Sequence, residues 1–232
     1  MKKVLSMLIV FIMMILVTPI CANAQVYETD NGIQYSVNNG EVTVEGFNYA
    51  GNVMKVPEKI DGMPVLYIAP QACRKNTAIT ELRLPKSIVS VGEYAFAECP
   101  NLVKVVISGG VNIERSAFRG CKALIELSLP NSLESIDDFA FEGCTMLGKV
   151  KIPKNLSFIG TDAFAGCERV RFDVSGNNYA KEYAKNNSIP TSFKDTWEYT
   201  LIMIALTTVL MGGATFVINA YIKRKKNSMR RA

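Results

Sequence analysis

The fold of this 232-residue chain is decided by one stretch, Val91-Gly-Glu-Tyr-Ala-Phe-Ala-Glu-Cys99, because the chain repeats it. Three further copies follow it in register: Ile113-Glu-Arg-Ser-Ala-Phe-Arg-Gly-Cys121, Ile136-Asp-Asp-Phe-Ala-Phe-Glu-Gly-Cys144 and Ile159-Gly-Thr-Asp-Ala-Phe-Ala-Gly-Cys167. A degenerate copy begins at Ile68 and has Cys73 where the others have phenylalanine. The copies begin at positions 68, 91, 113, 136 and 159, so they are 22 or 23 residues apart. Such a period is typical of stacked structural repeats.

Each copy is followed by a short alternating run, as in Leu124-x-x-Leu127-x-Leu129. Alternation of this kind predicts a short strand with one side facing a core. Proline ends three of these runs, at positions 85, 130 and 153, because it has no N–H for a sheet ladder. We expect the Ala-Phe phrase to return the chain as a single helical turn. One unit cannot bury its apolar side alone, whereas a stack forms a continuous core. The predicted fold class is therefore an α/β solenoid, a leucine-rich repeat stack of short parallel strands and short helical turns.

The repeated unit, Ile-x3-Ala-Phe-x2-Cys-x2-Leu-x2-Val-x-Ile-Pro, resembles the BspA-like leucine-rich repeat family from about Tyr35 to Phe193. The resemblance implies an N-terminal cap segment over residues 25–67, repeats over 68–174 and a closing helix within 175–193. It also implies an exported or surface binding protein, since some relatives act as adhesins toward host matrix proteins.

The N-terminus has the three parts of a secretory signal peptide. Lys2 and Lys3 precede an apolar run, and Ala22-Asn-Ala24 precedes Gln25. Residues 1–24 are therefore predicted to be a signal peptide that is cleaved between Ala24 and Gln25. The alternative interpretation is an uncleaved membrane anchor.

The C-terminus is predicted to cross a membrane once. Residues 199–222 hold no charge, and as a helix of about 1.5 Å per residue they span a hydrocarbon core of about 30 Å. They follow a juxtamembrane segment, 194–198, and precede a tail, 223–232, with six Lys or Arg and no acid. By the positive-inside rule this tail is cytoplasmic and the repeat domain is extracytoplasmic, in a single-pass protein of the cell membrane. A buried soluble helix is the alternative. Thr208 and Gly212, four residues apart, allow weak self-association of such spans.

Charge and composition exclude several functions. The formal charge of +5 belongs to the two ends, because residues 25–198 carry 18 Lys or Arg and 21 Asp or Glu. No basic stripe for a nucleic acid remains on that part. The chain has no histidine, which excludes Ser-His and Cys-His nucleophiles and imidazole bases. It also has no Cys-x-x-Cys motif, so we expect no metal, no cofactor and no enzyme activity. The adjacent Asp137 and Asp138 are interpreted as solvated.

One aromatic residue and one cysteine recur in each full copy, and both are predicted to be buried. The phenylalanines would form a spine and the cysteines a ladder of thiols, although stacked neighbours leave a disulfide open. The residues are Phe96, Phe118, Phe141 and Phe164, with Cys99, Cys121, Cys144 and Cys167.

The exposed side of the predicted strands is the candidate binding face. Its first column is Glu81, Lys104, Glu126 and Lys149, and its second is Arg83, Val106, Ser128 and Lys151. The first column alternates in sign, which suits either a ladder of ion pairs or a polar docking surface. Two functions follow from the sequence. One is adhesin-like binding of a protein or glycan partner, and the other is a membrane-proximal envelope scaffold with no host ligand.

Overall fold

The computed structural model of the protein describes residues 25–48 and 51–191. Within these residues the chain forms a β-solenoid of stacked coils. The predicted signal peptide, juxtamembrane segment, transmembrane helix and basic tail lie outside them. None of the helices in the described ranges has the length and apolar character that crossing a membrane needs.

Most of the regular structure is β-strand. Within the described residues, fifteen strands and one helix follow one another along the chain. They are β1 (Tyr27–Glu28), β2 (Ile33–Asn38), β3 (Glu41–Phe47), β4 (Val53–Lys55), β5 (Lys59–Ile60), β6 (Met63–Ile68), β7 (Glu81–Leu84), β8 (Ser90–Val91), β9 (Lys104–Ile107), β10 (Asn112–Ile113), β11 (Glu126–Ser128), β12 (Ser135–Ile136), β13 (Lys149–Lys151), β14 (Phe158–Ile159), β15 (Arg171–Asp173) and α1 (Asn178–Asn186).

The strands form two main sheets. The long sheet has the order β1-β2-β3-β6-β8-β10-β12-β14, with β5 paired to β6. The other, here called the short sheet, has the order β11-β9-β7-β4, and β13 and β15 pair beside it. From β6 onward neighbouring strands of both sheets run parallel, as expected for successive coils. The alternating sequence pattern predicts the short sheet but not the long one, whose strands are only two residues long in most coils.

The predicted helical turn is wrong. Tyr94 and Glu98 have φ angles of 56° and 59°, in the left-handed region that a right-handed helix excludes. The N–H groups of Tyr94, Phe96 and Glu98 donate to carbonyls of the next coil, at 3.2, 2.8 and 2.7 Å. The turn therefore belongs to an intercoil ladder rather than to a helix. In three other turns the backbone N–H groups at the equivalent positions also donate to carbonyls of the next coil. These residues are Gln71, Cys73 and Lys75 in one turn, Ser116, Phe118 and Gly120 in the second, and Phe139, Phe141 and Gly143 in the third.

The repeated phenylalanines and cysteines lie in the core beneath these turns. Rings of successive coils stack at centroid distances of 5.4, 5.3 and 5.2 Å along Phe96, Phe118, Phe141 and Phe164. The thiols do not pair with one another. Instead each Sγ donates to a carbonyl of the preceding coil at 3.1–3.2 Å, and the donors are Cys99, Cys121, Cys144 and Cys167. These four and Cys73 are free and buried.

The last described coil is covered by cap residues, which hydrogen-bond to its backbone where a further coil would otherwise do so. Tyr179 of α1 accepts a hydrogen bond at its Oη from Ile159 N, 2.9 Å away, at the edge of the long sheet. Tyr183, one helical turn later, donates to Gly160 O at 3.4 Å. The chain then returns beside β15, where Phe172 N donates to Pro190 O at 2.9 Å. Pairing of this kind blunts an exposed sheet edge, which would otherwise invite aggregation.

Replacing Phe118 by alanine is expected to lower the free energy of unfolding by about 3–5 kcal/mol, because it removes a ring stacked on both sides and leaves a cavity. Urea unfolding followed by circular dichroism measures this. The control is Phe158→Ala, since that ring is 48% exposed and should cost less than about 1 kcal/mol. Equal losses for the two variants would contradict a buried spine.

The thiols of the mature chain should be unreactive until it unfolds. All five thiols are buried, so a reagent cannot reach them in the folded chain, and burial also raises the pKa of the Cys73 thiol to about 12. Titration with a thiol reagent without reductant should give no reaction in buffer and five thiols in denaturant. A count of three or one in denaturant would reveal disulfides and contradict the thiol ladder.

Candidate binding face

All eight residues predicted for the binding face lie on the short sheet or its β13–β15 extension. In register, the first column runs Val53, Glu81, Lys104 and Glu126, and continues with Lys149 and Arg171. The second runs Lys55, Arg83, Val106 and Ser128, and continues with Lys151 and Asp173. These twelve residues are called the short-sheet face below.

Four residues of this face were missed by the sequence analysis: Val53, Lys55, Arg171 and Asp173. Val53-Met-Lys55 shows the same alternation as the other strands, which could have identified it. Arg171-Phe-Asp173 is harder to recognise, because Phe172 follows Cys167 by five residues. In the preceding coil Val150 follows Cys144 by six.

The alternating column of charges forms only one of its expected ion pairs. Lys104 Nζ lies 2.8 Å from Glu126 Oε2 on the neighbouring strand, and this contact raises the pKa of Lys104. Glu81 pairs instead with Arg83 of its own strand, at 2.7 Å. Lys149 pairs with Asp173, also at 2.7 Å, and this ammonium is the main cause of the lowered pKa of that carboxyl. Exposed pairs of this kind contribute little to stability.

The face carries more cations than carboxylates. It has six Lys or Arg and three acids, and each acid is already paired with one cation. Within the described residues, the other three cations of the face have no ion pair: Lys55, Lys151 and Arg171. The face is therefore basic although residues 25–198 as a whole are mildly acidic.

A hollow of about 530 Å³ lies in the middle of the face, between β9, β11 and β13. Its apolar side chains are those of Val105, Val106, Ile125 and Leu127, and Ile125 is 44% exposed. Gly148 borders it at the position where the two preceding coils have Val103 and Ile125. The ladder of the short sheet also stops here, because β11 and β13 are not paired. This central hollow combines an apolar floor with the charged residues Lys104, Glu126 and Lys149.

The adjacent carboxylates Asp137 and Asp138 make structural contacts. Asp138 Oδ1 accepts a hydrogen bond from Thr161 N at 2.7 Å, and its Oδ2 lies 3.5 Å from Arg115 Nη1. Asp137 Oδ1 accepts from the N–H of Asp138 at 2.8 Å. Within residues 25–48 and 51–191, no three His, Cys, Asp or Glu side chains are grouped so as to hold a metal ion.

The coil geometry defines a leucine-rich repeat solenoid with an outward sheet face. The chain belongs to the family described as BspA type leucine rich repeat region, whose model matches six copies over residues 65–205. The resemblance drawn from the sequence is thereby confirmed.

Two solved structures illustrate the fold. A leucine-rich repeat protein from T. pallidum is 25% identical with a TM-score of 0.59, and the match covers 66% of this chain and 79% of that one. A leucine-rich repeat protein from Bacteroides ovatus is 32% identical with a TM-score of 0.55, covering 63% of this chain but only 40% of that one. A search of curated proteins found no match.

Proposed function

We propose that the chain is a single-pass membrane protein whose extracytoplasmic repeat domain binds a protein partner through the short-sheet face. The observation that carries the proposal is the central hollow. An apolar depression ringed by charges is the usual setting for the anchor residue of a protein partner. The face has no aromatic side chain of its own, so the partner supplies the anchor.

The hollow suits an aliphatic or aromatic side chain of the partner. Val106, Ile125 and Leu127 offer apolar contacts, and Gly148 leaves the space beside them open. A Cβ at position 148 would meet only Ile125 O, at 3.5 Å, which is an ordinary contact. A larger residue there should fill the hollow without straining the fold.

Membrane anchoring is supported by the sequence. The signal peptide pattern before Gln25, the uncharged stretch 199–222 and the basic tail 223–232 together give the orientation. Weak self-association through Thr208 and Gly212 is part of the same proposal.

Photocrosslinking in intact cells tests the binding face. A photoreactive amino acid at Ile125 is expected to give a discrete adduct with one protein. Gly148→Val should reduce that adduct at least tenfold, since the new side chain occupies the anchor space.

The matched control places the same photoreactive residue at Val89, which is equally exposed, at 44%, but lies off this face. The proposal fails if position 125 gives no adduct, or if positions 125 and 89 give the same products.

Accessibility decides between an adhesin and a membrane-proximal scaffold. Only a few residues separate the cap from the predicted span, so the domain lies close to its membrane. An impermeant amine-reactive label on intact cells should modify the repeat domain if it binds host or neighbouring-cell proteins. Labelling only after the envelope is opened would exclude direct adhesion and support the scaffold.

A further inference from the structure

We infer that the partner presents an acidic peptide segment, and that one of its carboxylates binds a basic hollow at the C-terminal end of the short-sheet face. The choice of a protein partner rests on the proposed function. The basic hollow has a volume of about 530 Å³ and adjoins β13 and β15. Its polar lining residues are Asn131, Lys151, Lys154, Asn155, Asp173 and Ser175.

Two lysines of the basic hollow are available to an anion. Lys151 and Lys154 have no ion pair within the described residues. The single carboxylate of the lining, on Asp173, is already engaged, because it lies 2.7 Å from Lys149 Nζ and accepts from Ser175 Oγ at 2.7 Å. An incoming carboxylate therefore meets two ammonium groups and little competing negative charge. The side-chain amides of Asn131 and Asn155 add N–H donors.

The backbone that carries Lys154 and Asn155 is held in place from below. Asn177, which is 5% exposed, caps α1 and donates through Nδ2 to Pro153 O and Leu156 O, both at 2.8 Å. The stem of Lys154 lies across Gly176, with its Cε 3.4 Å from where a Cβ of that glycine would stand. Because these contacts already restrict Lys154 and the backbone of Asn155, less conformational entropy is lost when an anion binds there.

The two hollows share strand β13, which defines the spacing of the ligand. Lys149 borders the central hollow and Lys151 the basic hollow, two residues further along the strand. Two residues of extended chain span about 6.6 Å. The facing rims of the two hollows are thus two residues apart, and the shortest extended peptide that contacts both has side chains i and i+2 pointing the same way. The ligand class is an apolar residue and an Asp or Glu two or more residues away.

A pair of synthetic peptides tests this class. The probe is fluorescein-labelled acetyl-Thr-Leu-Thr-Glu-Thr-amide, and the comparison peptide has glutamine in place of glutamate. Fluorescence polarisation with the full chain in neutral detergent, up to 1 mM protein, gives the dissociation constants. The glutamate peptide is expected to bind at least tenfold more tightly, and its affinity should fall as salt rises from 50 to 300 mM.

Matched variants assign the effect to the basic hollow. Lys151→Gln with Lys154→Gln should abolish the preference for glutamate. Lys59→Gln, which removes an exposed cation of β5, unpaired within the described residues and outside the short-sheet face, should leave it unchanged. Both changes are at exposed positions, and circular dichroism verifies that the fold is retained.

Three results would overturn the inference: no peptide binding, equal binding of the two peptides, or an unchanged preference in the lysine variant. Displacement of the peptide by 10 mM inorganic phosphate but not by 10 mM acetate would also overturn it, since the site would then be a phosphate site. Failure of the proposed function has a different signature. It is the absence of a crosslink at Ile125, whatever the peptides do.

Discussion

The whole structure depends on backbone hydrogen bonds between coils rather than within them. In four successive turns three alternate N–H groups donate to carbonyls of the next coil, and the two sheets add parallel ladders on either side. A coil alone would leave these groups unpaired and its apolar side exposed, at a cost that such a short unit cannot offset. Left-handed residues at positions such as Tyr94 and Glu98 donate their N–H groups to the next coil.

The same requirement makes the ends of the stack different from its middle. Within the described residues the cap helix follows the last coil, and its Tyr179 and Tyr183 contact the backbone of that coil with their hydroxyl groups. Pro190 supplies a carbonyl to the edge strand β15. At the other end the antiparallel pair β2 and β3 joins the long sheet beside β6. Capping and stacking therefore serve the same purpose, which is to give each backbone N–H and C=O group a hydrogen-bond partner.

Stacking also arranges the outer surface. Because each coil has the same register, a surface position becomes a column, and its properties depend on what each coil places there. One such column changes from Val103 and Ile125 to Gly148, which opens the central hollow. The ion pairs are also unevenly distributed. Each acid of the short-sheet face forms one, whereas Lys151 and Arg171 form none within the described residues. The regular repeats thus present an irregular face, and its local differences in shape and charge are the features by which a partner could be recognised specifically.

The sequence by itself determined the repeat, the short sheet, the buried phenylalanines and cysteines and eight residues of the face, because each follows from a local pattern with a fixed period. It could not determine the turn, since residues such as Tyr94 and Ser116 adopt left-handed backbone at a position where no copy has the glycine or asparagine that would indicate it. It also could not determine which charges pair. Lys149 meets Asp173 of the next coil, whereas Glu126 pairs with Lys104 of the preceding one. Contacts between coils depend on distances in space, and only the tertiary structure decides these.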